Sequence, residues 1–367
     1  MTKILHYIGG VSFGGSQSFV MELYRKMDRS QLQFDFVVFP NEAGGIEDEI
    51  KTLGGKIFVC PRYSGKNHFE FCKWWKDFLR DHPEYHVVHG HVRSCASIYL
   101  AIAKKAGLVT IAHGHSTSNG RGVSAVFKAI LQLPIRHIAH HLFSCSDIAG
   151  EWLYGKRAVN SPKYKMVPNC VEIDRFAYSE QDRAMVRNEL NISEDALVIG
   201  HIGRFHEAKN HQRIIEIFAN VLKRRDDARL LLVGDGELRS EMERLCQLLG
   251  VYEKTIFAGA QANPARFYSA MDVFLFPSKW EGLPLSVVEA QAAGLPCFVS
   301  DTVTRNVKLT DLVTYYSLTL SDDEWADRLL SSARSLEREL TTEQQEGLES
   351  FDSKRVAKEL QEFYLSM

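Results

Sequence analysis

LVIGHIGRFHEAKNHQRIIEIFANVLKRRDDARLLLVG, residues 197–234, changes its hydrophobic period twice. It opens on one apolar run, LVIGHIG (197–203), and closes on another, RLLLVG (229–234). Short runs bounded by glycine or polar residues read as buried parallel strands. Between them Ile214, Ile215, Phe218, Val221 and Leu222 fall on one helical stripe. Strand, helix, strand is the repeating unit of a doubly wound α/β sheet.

The same rhythm runs through the chain. Upstream lie KILHYI (3–8), FDFVVF (34–39), KIFVC (56–60), HVVH (86–89), VTIA (109–112), HLFSC (141–145) and YKMV (164–167). Downstream lie TIFAG (255–259), VFLFP (273–277) and PCFVS (296–300). Two series imply two sheets. A length of 367 residues, at about 150 per domain, agrees. The polar stretch 168–190 carries no strand pattern and marks the boundary. The expected division is a first domain over 1–175, a linker over 176–189 and a second domain over 190–350. An amphipathic last helix, 352–367, is expected to pack back on the first domain.

Composition excludes several classes. Hydrophobic content of 45% and charged content of 25% are those of a globular protein. No stretch reaches the roughly 18 to 20 apolar residues that span a bilayer. The first residues, MTKILHYIGGVSFGG, start a strand at once and lack a signal-peptide layout. Seven scattered cysteines without a C-x-x-C pair suggest a reducing cytoplasm rather than a disulfide or zinc framework. Residues 1–170 carry 21 Lys/Arg against 13 Asp/Glu, the remainder 23 against 33, and eleven of the fourteen histidines lie in the first part. A basic half suggests an anionic partner, phosphate or a membrane surface, and nothing points to nucleic acid.

The chemistry should sit where strands end, because open α/β sheets bind ligands beyond the carboxyl ends of their strands. In KWEGLPLSVVEAQAAGLP (279–296), Glu281 lies in the loop after a strand and Glu289 lies inside the next helix. Pro284 stands near that helix's first position and Gly294 past its end. Two carboxylates can accept from paired sugar hydroxyls. The helix start between them, Gly282, Leu283, Pro284 and Leu285, suits a phosphate. In GRFHEAKNH (203–211), Arg204 and Lys209 follow a strand. The first supplies a fork and the second a point charge for a diphosphate. After the first strand, Gly14 and Gly15 allow a pyrophosphate close to the backbone, and Ser16 is suited to cap the helix. Two histidine pairs, His89 with His91 and His113 with His115, end strands. Such pairs can form a metal site, but no acidic or cysteine ligand accompanies them, so no metal is expected. The stretches 69–80 and 124–143 are amphipathic; each fits a core-packed helix or a helix lying on an anionic interface.

E-G-L-P-L-x-x-x-E (281–289) resembles the E-x7-E motif of retaining GT-B glycosyltransferases, and the chain as a whole is similar to glycosyltransferase family 4. GGVSFGGSQSFV (9–20) resembles that family's first glycine-rich loop, PNCVEIDRF (168–176) its interdomain motif, and GRFHEAKNH and LLVGDGEL (231–238) its second-domain loops. The resemblance implies two Rossmann-like domains facing across a cleft. It implies metal-independent, retaining transfer of a sugar from a nucleotide-diphosphate sugar, with UDP the expected nucleotide and no further cofactor. Glu289 would accept from the ribose and Glu281 from the sugar. Arg204 and Lys209 would hold the diphosphate, and His115, or His113, would stand near the reacting carbon. The acceptor implied is a saccharide, lipid-linked in exopolysaccharide or capsule assembly, with the enzyme peripheral on the inner membrane face. Three features depart from or qualify the pattern. Cys170 stands where the family has glycine, the segment 302–318 lacks the family's glycine-rich acidic stretch, and no D-x-D motif ends a strand. Two other functions share this architecture: a UDP-sugar epimerase, which needs no acceptor, and a non-catalytic UDP-sugar-binding subunit.

Overall fold

The apolar runs become strands whose two faces are both covered, as parallel pairing requires. A computed structural model describes all residues except 12–14, 41–44, 116–122, 262 and 333–337. The chain divides into two units, Met1–Cys170 with Ser353–Met367, and Val171–Asp352. Each is an α/β unit built on one parallel sheet.

The first unit holds β1 (Thr2–Gly9), β2 (Leu32–Val38), β3 (Ile57–Val59), β4 (Val87–Gly90), β5 (Val109–Gly114), β6 (His141–Ser144) and β7 (Tyr164–Met166). Their spatial order is β3-β2-β1-β4-β5-β6-β7, which reverses direction between β1 and β4. Successive residues of β1 feed opposite layers. Ile4 and Ile8 join a core with Phe34, Phe36 and Tyr24. Leu5 and Tyr7 join one with Trp75, Tyr99 and Leu142. The last helix, Ser353–Leu365, completes the first of these layers through Val356, Ala357, Leu360 and Tyr364.

The second unit holds β8 (Val198–Ile202), β9 (Arg229–Val233), β10 (Thr255–Gly259), β11 (Val273–Phe276), β12 (Cys297–Ser300) and β13 (Val313–Tyr316). The order β10-β9-β8-β11-β12-β13 reverses between β8 and β11. The helix His211–Leu222 buries Ile214, Ile215, Phe218 and Val221 against β8 and β9 residues. Gly200 sits in β8 because a Cβ there would lie 2.0 Å from Met271 Sδ. The strand β13 has no counterpart among the expected runs. Its VTYY is short and lies in the segment that departs from the family pattern.

The expected linker is corrected. Residues 180–189 form a helix, Glu180–Glu189, belonging to the second unit, and the break falls at 170/171. Ser179 caps this helix by accepting from Asp182 N–H at 3.1 Å. Two arginines hold it to the sheet. Arg183 Nη2 and Arg187 Nη2 each lie 2.8 Å from one oxygen of Asp272. Asp272 Oδ2 also accepts from the Val198 N–H at 2.7 Å, at the start of β8. Arg187 is buried and donates further to the carbonyls of Ala270, Glu194 and Ala196.

Of the two amphipathic stretches, 69–80 lies within the helix His68–Asp81 and buries Phe71, Trp75, Phe78 and Leu79. The stretch 124–143 divides among the helices Val123–Gln132 and Ile135–Ile138 and strand β6. Val126, Phe127, Ile130 and Leu133 remain exposed there. Among the described residues no helix is long and apolar enough to cross a membrane.

The Asp272 cluster predicts a stability effect. Asp272→Ala leaves a buried guanidinium without its counter-charge, which costs about 3–5 kcal/mol. Urea unfolding should show an earlier loss of the second unit, with the first unit's transition unmoved.

Candidate active site

Because β8 and β11 are neighbours, the loops leaving their carboxyl ends start side by side. Two hydrogen bonds lock them together. Lys279 N–H donates to the Ala208 carbonyl at 2.8 Å, and Asn210 Nδ2 donates to the Pro277 carbonyl at 3.0 Å. Asn210 adopts a left-handed backbone, φ 59°, between the short turn Glu207–Lys209 and the helix His211–Leu222. Asparagine tolerates that conformation better than most side chains. From the other side, Ser300 and Thr302 hydroxyls donate to the Ser278 carbonyl at 2.5 and 2.7 Å.

This scaffold sets Lys209 Nζ 2.8 Å from Glu281 Oε1. Their side chains keep 20% and 13% of their surface, so the pair is mostly withdrawn from water. It is a contact of charges rather than an aligned hydrogen bond, because Oε1 has no properly oriented donor. The ammonium also lies over the Phe276 ring, 4.9 Å from its centre. Arg204 is placed differently. It is 72% exposed and reaches Glu237 Oε2 at 3.2 Å, an exposed and weak pairing that a stronger anion can replace.

Glu289 lies in the helix Leu285–Ala292. It keeps some accessible surface but is closely surrounded, and burial raises its carboxyl pKa. Tyr268, whose hydroxyl donates to Glu289 Oε2 at 2.6 Å, opposes that shift, as do the positive charges of Arg175 and Lys209. At its amino end this helix has Pro284 as flanking residue and no side-chain cap. Its other end is tightly held. Gly294 takes φ 66°, and a Cβ there would lie 2.3 Å from the Arg338 carbonyl. The buried Arg338 guanidinium donates to the carbonyls of Ala293, Met271 and Tyr268. Burial lowers its pKa to about 10. A cation on free carbonyls at a helix carboxyl end is favourable.

The first unit gathers the histidines. His6 Nδ1 lies 3.1 Å from His91 Nε2, and His91 Nδ1 lies 2.8 Å from His115 Nε2. His115 Nδ1 lies 3.4 Å from Asn169 Oδ1. Beside this row, Tyr364 OH lies 2.5 Å from His89 Nδ1, and His89 Nε2 lies 3.2 Å from His113 Nδ1. Burial depresses all five imidazoles, His6 to about 3 and His115 to about 4, so they are neutral. Two triples, His6–His89–His91 and His91–His113–His115, bring nitrogens within 4.8 Å of one another. Neighbouring rings are stacked, for example His113 on His115 at 4.1 Å and 25°. Nearly parallel rings aim their lone pairs side by side rather than at one point, which suits hydrogen bonding better than a tetrahedral ion.

The expected residues therefore fall into two groups. Lys209, Glu281 and Glu289 come together in the second unit, with Gly282, Leu283, Pro284 and Leu285 between the two acids; Arg204 stands apart, on Glu237. His115 stands in the first unit. Gly14 lies outside the described residues. Gly15 opens the helix Gly15–Lys26, so Ser16 is an internal helical residue and not its cap. Its hydroxyl donates instead to Gln17 Oε1 at 2.9 Å. The sequence reading gives no role to His6, which is hidden in the apolar run KILHYI, nor to Asn169 and Asn210, which lie inside the quoted stretches PNCVEIDRF and GRFHEAKNH, nor to Tyr268 and Arg338, which lie in none. The parallel register that sets His6 opposite His89 is what could have exposed the first.

Comparison with known proteins bears on both units. Residues 13–175 match the profile of Glycosyltransferase Family 4, and residues 182–332 that of Glycosyl transferases group 1. The chain is 33% identical over 338 residues to "Putative glycosyltransferase EpsF" of Bacillus subtilis (strain 168), covering 90% of this chain and 88% of the relative. The chain belongs to glycosyltransferase family 4. This glycosyltransferase is also 24% identical to the Escherichia coli UDP-Gal:alpha-D-GlcNAc-diphosphoundecaprenol alpha-1,3-galactosyltransferase, over 79% of this chain and 77% of the relative. Its fold matches that of Anabaena Alr3699/HepE, solved in complex with UDP and glucose, with a TM-score of 0.79, 17% identity and both chains fully covered. The glycosyltransferase therefore has the GT-B architecture expected from its sequence.

Tyr268 gives the acidic group a measurable signature. Because its hydroxyl holds the Glu289 carboxyl pKa down, Tyr268→Phe should move the Glu289 titration to higher pH. Carboxyl carbon NMR of the two proteins checks this; an unmoved titration would count against the Tyr268–Glu289 bond.

Proposed function

We propose that this glycosyltransferase moves a sugar from a UDP-sugar to a saccharide acceptor carried on a lipid, with retention of anomeric configuration, in exopolysaccharide or capsule assembly. The observation that carries the reading is the withdrawn Lys209–Glu281 pair at the β8/β11 switch point. The lysine there is already fixed against its carboxylate and needs no reorientation to meet a departing diphosphate. Fixed charge of this kind, in a site shielded from water, can lower a barrier by several kcal/mol. Arg204 would leave Glu237 and fork onto the same phosphates, and the uncapped start of the helix Leu285–Ala292 would add backbone donors. Together these would take the place of a divalent cation.

Glu289 would accept from the ribose hydroxyls. One of its oxygens is taken by Tyr268, and the other stays available. Glu281 would accept from the sugar while balancing Lys209. The leaving phosphate, on the same face as the incoming hydroxyl, would take the acceptor's proton as the new glycosidic bond forms and the bond to UDP breaks. The UDP donor is supported by the UDP-bound Anabaena fold relative and by the UDP-Gal-dependent Escherichia coli relative. The lipid-linked acceptor is supported by that second relative and by the basic first half of the chain. The exposed Val126, Phe127, Ile130 and Leu133 beside Lys128 and Arg136 offer a face for peripheral contact with an anionic membrane at the cytoplasmic side.

The deciding experiment is UDP release across a panel of UDP-sugars with a membrane lipid extract as acceptor, with the product anomer read by NMR. Release only when acceptor is present supports transfer. An epimerised sugar without acceptor would support the rival enzyme, and an inverted linkage would remove the front-face step. Lys209→Ala and Arg204→Ala should each lower kcat by ~100-fold or more, the scale of losing one fixed donor. Chelation with EDTA should leave the rate unchanged. Nucleotide affinity should fall with pH at a point above the ordinary carboxylate value, because Glu289 must be ionised to accept and burial raises its pKa. That dependence should vanish in Glu289→Gln, as calorimetric titration of UDP can show.

A further inference from the structure

We propose that His6 and His91 act as positioning residues that lock His115 in its Nδ1–H tautomer, so that the edge His115 offers a sugar is a hydrogen-bond donor. The direction of the chain follows from its two ends. At one end Asn169 Oδ1, a carbonyl oxygen, can only accept, so the His115 proton facing it at 3.4 Å sits on Nδ1. His115 Nε2 must then accept, and His91 Nδ1–H donates to it at 2.8 Å. His91 Nε2 in turn accepts from His6 Nδ1–H at 3.1 Å. At the other end His6 Nε2 is buried with no partner, and in this direction it is a bare lone pair. The reverse direction would turn the Asn169 amide round and leave an unpaired N–H in the core, the rarer kind of orphan.

The rest of the cluster holds these rings in plane. His89 stacks on His91 at 4.4 Å and 20°, and His113 on His115 at 4.1 Å and 25°. Tyr364, from the last helix, fixes His89 in turn. An added proton on His91 Nε2 or His115 Nε2 would set two N–H groups against each other, one on His6 Nε2 would find no acceptor, and burial already disfavours all three. His6, His89, His91 and His113 are buried, whereas His115 and Asn169 keep accessible surface. The row therefore opens to solvent only at its His115 end. The His115–Asn169 contact is the longest in the row, and a sugar hydroxyl oxygen can replace the amide there. The tautomer stands on the geometry alone; its use toward a sugar rests on the function proposed above.

Nitrogen NMR of the full chain with labelled histidine separates the two parts. The His115 signals are assigned by their loss in His115→Gln. Between about pH 6 and 8 the wild type should show His115 protonated at Nδ1 and bare at Nε2, the form free histidine disfavours. His91→Phe removes the donor, so the imidazole's own preference for Nε2–H then competes with Asn169 and a share of the Nε2–H form should appear. His91→Gln, whose amide can donate to Nε2, should keep Nδ1–H. If His91→Phe does not fold, as judged by thermal melting, the wild type and His91→Gln spectra still decide. An Nε2–H form in the wild type, or stoichiometric zinc lost on replacing His91, overturns the proposal. In transfer assays His91→Phe should lower kcat/KM about 10-fold, one hydrogen bond's worth, and His91→Gln should restore it. An unchanged rate with a flipped tautomer overturns the donor role. If the wild type transfers no sugar, the proposed function fails while the spectra still decide the tautomer.

Discussion

Parallel pairing of β8 with β11 is the constraint on which the second unit's chemistry depends. Each strand alone ends in an ordinary loop. Paired, they set an ammonium and a carboxylate 2.8 Å apart in a place largely closed to water. The pairing needs Gly200 to make room for Met271, and it needs Asp272 to accept from the first N–H of β8. The residues that make the sheet close-packed are thus the ones that bring the charges together. A shift of one residue in this register would carry Lys209 away from Glu281 and undo the bonds that tie the two loops.

The two acids of the motif are held in different ways. Glu281 is balanced by a full positive charge, whereas Glu289 has a neutral hydroxyl on one oxygen and its cations further off. The same residue type at either end of one motif therefore has two characters. One is a fixed anion within an ion pair. The other is raised in pKa by burial and answers more readily to a partner that donates hydrogen bonds. The helix joining them is fastened at its carboxyl end by Arg338 and left uncapped at its amino end. That asymmetry keeps its unpaired N–H groups beside the acids.

Hydrophobic periodicity made most of the architecture legible. Strands buried on both faces are apolar throughout, so LLLV, VFLF and CFVS announce themselves. The failures have a common cause. The helix Glu180–Glu189 shows a polar sequence because Arg183 and Arg187, satisfied by Asp272, share its inward face with Val186 alone among buried apolar side chains, too few for an apolar stripe. His6 reads as part of a core strand, which it is; its contact with His91 depends on which strand lies alongside. Lys209 and Glu281 were both singled out, yet their contact with each other is a product of the sheet order. Ser16 was given a capping role on composition, and a helix starting at Gly15 removes it.

The final helix has a consequence for how the molecule comes into being. Val356, Ala357, Leu360 and Tyr364 belong to the same core layer as Ile4 and Phe34. The stretch Val171–Asp352 is contiguous and can condense as soon as it leaves the ribosome, in keeping with the tendency of domains to fold as units during synthesis. The unit translated first must wait for Ser353–Leu365 to emerge before one of its two layers is filled. Birth order and completion order are therefore reversed, and a chain cut short before residue 353 would leave the earlier-made half unfinished.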